Sequence, residues 1–279
     1  MHQINLVDET FDKNQAHHYN LSIQYNLNGL SYGLLDTIKN KYIAFRHYPE
    51  KESNPENLAS LIASDEMLML PYKEVFLLSD TGQSTLVPIP YFDESKASDL
   101  YKFNLGETGD SVIHYNKLPE ALVYTIFSYA PSVIAEIQKA FPSIGIYHRT
   151  SPFIENLVQE SSKWPRSKCY VSIHKGILDI GLAHQKKLDF FNTFAYQEKS
   201  DIIYYILTTL EQFKLTAAYT DIFLSVDLEN HDEIFEYIDG FVSHVNFIRP
   251  SDVFTYSYIF DEFQLTRFAN LFNLALCVS

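Results

Sequence analysis

The chain has 279 residues, a net charge of −14, and an apolar content of 46% that includes 20 Tyr and 21 Phe. That apolar fraction fills one large or two medium cores and excludes a disordered or low-complexity chain. The acidic balance argues against nucleic acid as a partner, which needs clustered Lys and Arg, and equally against an anionic membrane surface. Cys169 and Cys277 lie far apart in apolar runs, the pattern of buried thiols in a reducing compartment. Residues 1–20 have no basic stretch leading into an apolar one, and no apolar run approaches the ~20 residues of a membrane helix. A cytoplasmic protein with no direct membrane insertion is expected.

In chain order, residues 1–19 are polar and read as a loose lead-in. Residues 21–48 read as three strands, with Ile23, Tyr25 and Leu27 alternating toward one face and Asn28-Gly29 making the first turn. Asn54-Pro55-Glu56 then predicts a helix start, followed by a Leu58, Leu61, Ile62 stripe. Residues 75–78 predict a fourth strand, ended by Asp80-Thr81-Gly82. The stretch 84–118 is less regular: a proline-bearing extended edge at 86–90, a helix at 95–103, a strand at 112–118. Regularity returns with a strand at 121–129, a helix from Pro131, a strand at 144–147 and a helix from Ser151-Pro152. Residues 161–167, with Trp164 and Pro165, form the expected boundary.

Residues 169–196 repeat the opening unit. Gly33 falls on Gly181, an offset of 181 − 33 = 148, and Leu30, Tyr32 and Leu34 meet Leu178, Ile180 and Leu182. Lys175-Gly176 supplies the matching turn. A helix at 201–213, a strand at 222–226, a capping box at Asn230-His231-Asp232-Glu233, a strand at 245–248 and a helix at 261–272 complete the second half.

Each half thus has the order β-β-β-α-β-α-β-α and opens on a glycine-turned hairpin. Two such units in tandem resemble the actin-like ATPase superfamily (actin, sugar kinases, Hsp70-type chaperones). More narrowly, the chain resembles a bacterial family of unknown function with that fold. In layout it is similar to the actin-like cytoplasmic proteins of pilus and type II secretion machines. The resemblance implies an α/β chain of duplicated ribonuclease-H-like domains with five-stranded mixed sheets, at 1–162 and 163–279. The first carries an insertion near 80–120.

In such ATPases the hairpin after each domain's first strand holds the nucleotide phosphates, and the first carries an acid that organises Mg²⁺. The positions implied here are Asn26, Asn28 and Gly29 in the first hairpin and His174, Lys175 and Gly176 in the second. Asparagine lacks the charge to organise the metal in the same way. The second turn has one glycine and no acid, and the adenosine-pocket stretch 223–227 has no glycine. No cofactor is therefore expected. Lys175 reads as a solvated turn lysine.

Gly29-Leu30-Ser31-Tyr32-Gly33 matches G-x-S-x-G, with Asp227, His231 and His244 downstream, but alternating flanks predict a hairpin rather than a strand-to-helix elbow. The ten histidines form no H-E-x-x-H, and His17-His18 would point opposite ways in an extended segment, so no metal site is expected. Asp179 and Asp189, on opposite arms of a hairpin, read as solvated. The resulting expectation is a non-catalytic protein-binding or scaffolding protein, acting through an unknown protein partner or as a homo-oligomer. The alternatives are a divergent nucleotide-binding ATPase and, third, a serine hydrolase using Ser31. The insertion at 84–118 is the expected docking surface, through its 86–90 edge and Tyr91 or Tyr101.

Overall fold

A computed structural model describes residues 3–278 apart from Leu27, Pro55, Thr81, Gly82, Trp164, Tyr219, Asp227, Glu229, Asn230 and Ser243; the side chains of Glu52, Val133 and His231 are also outside it. The Leu27, Pro55, Thr81-Gly82, Trp164 and Asn230-His231 expectations therefore lie wholly or partly outside the described residues.

The first half begins with β1 (Ile4–Val7), β2 (Tyr19–Asn26), β3 (Gly29–Asp36) and β4 (Lys41–Pro49). Then come α1 (Glu50–Ser53), α2 (Leu58–Ser64), β5 (Glu74–Ser79), β6 (Ser84–Pro88), α3 (Ala97–Leu105), β7 (Val112–Leu118) and β8 (Val123–Tyr129). It ends with α4 (Pro131–Ala140), β9 (Gly145–His148) and α5 (Thr150–Ser161). The second half runs β10 (Lys168–His174), β11 (Ile177–His184), β12 (Lys187–Ala195), α6 (Lys199–Gln212), β13 (Asp221–Val226), α7 (His231–Asp239), β14 (Val245–Phe247), β15 (Thr255–Tyr256) and α8 (Ala269–Asn273).

The duplication is visible in the hydrogen-bond registers. The order β4-β3-β2-β5-β9 in one sheet is matched by β12-β11-β10-β13-β14 in the other. Ser22 faces Gly33 as Tyr170 faces Gly181, both partners displaced by 148 (170 − 22 and 181 − 33). The register even slips at matching points, between Leu34 and Leu35 on β3 and between Leu182 and Ala183 on β11. A one-residue slip exchanges the faces of a strand, and both halves make it at the same place, although β4 is buried along most of its length and β12 is not.

Three features differ from expectation. The first sheet has seven strands rather than five, because β1 pairs antiparallel with residues 44–47 of β4 and β15 pairs parallel with Lys41 and Tyr42. Part of the supposed loose lead-in is thus a strand, its Ile4 and Leu6 packed on the aromatic cluster of the C-terminal segment. The strand at 121–129 belongs to the insertion: β6, β8 and β7 form a separate three-stranded sheet covered by Tyr101 of α3. Asn116 of β7 joins this sheet to the β9 edge, donating to Ile146 O (2.8 Å) and accepting from His148 N (3.1 Å). The helix expected at 261–272 is short 3-10 turns followed by the one-turn α8.

The outer face of each sheet is covered by its own half. Leu58 and Ile62 of α2 and Ile134 and Ile137 of α4 pack under Leu21, Ile23, Leu30 and Leu34. Ile202, Ile206 and Leu210 of α6 and Ile234 and Ile238 of α7 do the same under Val171, Ile173 and Ile180. The inner faces are covered in exchange. Phe153 and Leu157 of α5 lie on the second sheet against Tyr170, while Phe268, Leu271 and Phe272 of the C-terminal segment lie on the first against Tyr42 and Phe45. The buried Tyr42 hydroxyl donates to Phe272 O at 2.5 Å.

Glycine sets how near these helices come. A Cβ added at Gly181 would lie 2.6 Å from Leu157 Cδ2 and 3.1 Å from Phe153, whereas one at Gly33 would meet Phe272 at an ordinary 3.6 Å. Gly181→Ala is expected to lose about 1–3 kcal/mol through overpacking. Gly33→Ala is expected to stay within about 1 kcal/mol of wild type, because the lower entropy of the unfolded chain offsets the new contact. Urea unfolding of the two variants measures both, and equal losses would mean that the helices do not approach the sheets as described.

Candidate functional site

The two hairpin turns lie at the carboxyl ends of the parallel strands of their sheets. In the first, Asn26 faces Gly29 across the turn, and Asn26 Oδ1 accepts from Asn28 N at 2.9 Å. Gly29 has φ +128°, and a Cβ there would sit 2.0 Å from Tyr48 O, so no side chain fits. In the second, His174 faces Ile177, Lys175 is exposed, and Gly176 has φ +75°. Neither pair of turn residues places a carboxylate in its turn.

The space between the hairpins holds an arginine. Arg149 follows β9 and precedes α5, and is 3% exposed. Its Nη2 donates to Asp179 Oδ1 at 3.0 Å on the second sheet. Its Nε lies 3.2 Å from Asp80 Oδ1, just past the end of β5 on the first, in a geometry that makes an ion pair but not a hydrogen bond. Tyr25 faces Ser79 on β5, so Asp80 stands level with the first hairpin turn. Thr193 Oγ1 also donates to Asp179 Oδ1 (2.6 Å), and His174 Nε2 is 3.9 Å from Asp179 Oδ2. Asp179 is therefore buried and paired rather than solvated, while Asp189 lies beside Lys187 at 3.0 Å as a surface pair. Of the implied phosphate positions, the structure brings only His174 into this cluster.

Arg149 and Asp80 were not singled out from the sequence. The usable signal was Asp179 itself, an acid between Leu178 and Ile180 in a buried strand, since a buried carboxylate calls for a cation. Nothing local says which cation, because the partner is 30 residues away.

Ser31 lies in the middle of β3, facing Gln24 and His47, so G-x-S-x-G here is a strand and not an elbow. It does touch a histidine: Ser31 Oγ and His47 Nδ1 are 2.9 Å apart. Burial, with the positive charge of Arg267 second, pushes the His47 pKa down to about 4. Both residues are buried, and His47 Nε2 has no hydrogen-bond partner among the described residues, so no acid orients the ring. Asp227 lies outside the described residues, and nothing is placed for the side chain of His231. His17 and His18 sit in a 3-10 turn with ring centroids 4.0 Å apart, rather than pointing opposite ways.

With this geometry in hand, comparisons place the chain. A family described as "Protein of unknown function (DUF3822)" matches residues 8–245. A solved Bacteroides thetaiotaomicron protein with actin-like ATPase fold and unknown function is similar at 21% identity. Its TM-score is 0.75, over 94% of this chain and 98% of that one. A PilM–PilN type IV pilus biogenesis complex contains a chain similar at 10% identity and a TM-score of 0.61, over 93% and 97%. These likenesses establish the actin-like ATPase fold. No curated protein matches the chain.

Two outcomes are expected. Arg149→Met strands the Asp179 carboxylate in the interior and lowers stability by about 3 kcal/mol or more, whereas Arg149→Met with Asp179→Leu recovers part of the loss; chemical denaturation measures both. A fluorophosphonate probe leaves the wild type and Ser31→Ala equally unlabelled, and labelling confined to the wild type would make Ser31 a nucleophile.

Proposed function

The chain belongs to the DUF3822 family of proteins of unknown function, and we propose that it is a non-catalytic protein-binding or scaffolding protein on the actin-like fold. The observation that carries this reading is Arg149. It stands between the two hairpins, and its charge is met by Asp80 and Asp179. The arginine is built in, so the cleft holds its own cation where the resemblance would put phosphates and Mg²⁺. The Asn26 and His174 positions supply no carboxylate that would hold such a metal. We keep 1–162 and 163–279 as the duplicated units, and an acidic chain with two buried thiols suits the cytoplasm. Among the described residues no helix is long and apolar enough to cross a membrane.

A protein partner is supported by two observations. The PilM relative was solved together with PilN. The small sheet carries bare aromatic groups, with Tyr91 78% and Phe103 89% exposed. Tyr101, the other candidate, is unsuitable, being buried with its hydroxyl 2.9 Å from Ser128 Oγ. A divergent nucleotide-binding ATPase is the second reading. It is favoured by a cleft of about 600 Å³ near the carboxyl ends of β13 and β14, lined by Val226, Phe247, Arg249, Tyr256, Phe263 and Arg267.

Two measurements separate the readings. Calorimetry with Mg-ATP is expected to show no dissociation constant below about 100 μM; tighter binding would favour the ATPase. Pull-down from native cells with Tyr91→Asp/Phe103→Asp, which leaves buried groups untouched, is expected to lose partners that the wild type retains. Unchanged partners and oligomeric mass would remove the small sheet as the docking surface.

A further inference from the structure

The two copies of the sheet differ at one edge. In the first, β1 covers residues 44–47 of β4, and Asp8 N continues the ladder to Ile43 O at 2.8 Å. In the second, β12 ends the sheet, and among the described residues no strand pairs with its far side. Burial records the difference. Phe45 and His47 are 0% and 1% exposed. Phe191 and Thr193 are their counterparts, facing Gly181 and Asp179 as Phe45 and His47 face Gly33 and Ser31. Both are only half-buried.

The backbone of this edge is oriented for another strand. Tyr196 N donates to Gly176 O across the turn end of the β11 ladder (3.1 Å). In an antiparallel ladder alternate residues point their backbone groups the same way. Asn192 and Phe194 therefore turn toward β11, and Phe191 and Thr193 turn N–H and C=O outward. In the first half the matching residues, Phe45 and His47, face Leu6 and Ile4 of β1. Nothing on β12 blunts the edge: it has no proline, and its two charged residues, Lys187 and Asp189, pair with each other at 3.0 Å.

We infer that this edge pairs with the same edge of a second copy of the chain, antiparallel about a two-fold axis at Asn192, so that the two five-stranded sheets become one. Pairing of this kind needs a surface that complements itself. About Asn192, Phe191 meets Thr193 and the two exchange backbone hydrogen bonds, while Phe190 meets Phe194 on the outer face. An axis at Phe191 would instead set Phe190 against Asn192. The outer face carries the contact onto α6. Tyr205 stacks on Phe194 at 4.5 Å, Tyr204 lies 5.4 Å from Tyr205 and is 63% exposed, and Leu207, about one turn on, is 37% exposed. The net charge of −14 opposes self-association, but the edge itself is neutral, so the repulsion is long-ranged and is screened at physiological ionic strength. The small sheet takes no part, so this inference stands apart from the docking surface proposed above.

The test is sedimentation of the full chain up to about 100 μM at physiological ionic strength. A mass twice the 32.3 kDa of one chain is expected at the upper end. Asn192→Lys sets like charges against each other on the axis and is expected to weaken the dimer at least about tenfold. Asn192→Cys is expected to form a disulfide-linked dimer on mild oxidation, reversed by dithiothreitol. Residues opposed without hydrogen bonds between them have Cα atoms about 4.5 Å apart, within disulfide reach, and the native thiols are buried. Tyr91→Asp/Phe103→Asp is expected to keep the dimer. A monomeric wild type overturns the inference and leaves the edge to a strand of another protein. A dimer that survives Asn192→Lys, that Asn192→Cys leaves unlinked, or that the small-sheet variant dissociates overturns it too. If Asn192→Lys does not fold, the Cys variant still decides.

Discussion

Each sheet receives its inner cover from the other half of the chain, and the rest of the interior follows from that exchange. Leu157 can lie against the second sheet only because Gly181 presents no side chain. The space between the sheets is then filled by residues of both halves, with Phe153, Ile154 and Leu157 meeting Tyr170, Ala183, Ala269 and Cys277. Close packing of this kind leaves no plane along which the halves part without exposing apolar surface. The Cys277 thiol is enclosed by the same packing and the Cys169 thiol by the core between the second sheet, α6 and α7; burial pushes Cys169 up to about 12, so it is inert rather than reactive.

The exchange also fixes where charge can sit. α5 starts at the carboxyl end of the first sheet and runs along the inner face of the second, so the residue before it stands at the mouth between them. Arg149 is that residue, and a guanidinium there reaches a carboxylate on each side. Its net contribution to stability is small beside its effect on geometry, since desolvation consumes most of the Coulombic gain. The duplicated position in the first half has diverged. Ser31 faces His47 where Asp179 faces Thr193, so one backbone arrangement holds a neutral pair in one half and an anchored anion in the other.

What the sequence disclosed is what local physics encodes. Alternation and glycine turns marked β2 to β4 and β10 to β12, and the 148-residue offset survives down to the register slips. Elements formed by distant contacts were hidden. β15 is two residues long and exists because Lys41 and Tyr42 offer an edge. The strand at 123–129 is as apolar as a strand of a main sheet, and nothing in its own residues says that it pairs with β6 and β7. The C-terminal aromatics read as one helix, yet their spacing serves Tyr42 and Phe45 rather than a 3.6-residue period. At the site, the glycine turns were legible and the arginine between them was not, because an ion pair leaves no local pattern.

The late arrival of α8 has a consequence for how the protein is made. Asp8 is bonded to Ser257, and Tyr42 to Phe272, separations of 249 and 230 residues. A ribosome finishes the strands of residues 19–49 long before it makes the helix that covers them. At about 5–20 residues per second, the interval is roughly 10–50 s. Throughout it, Leu35, Tyr42 and Phe45 form a bare apolar face on a nascent sheet. A face whose cover is made last stands open during synthesis, and a holding chaperone has its longest window there.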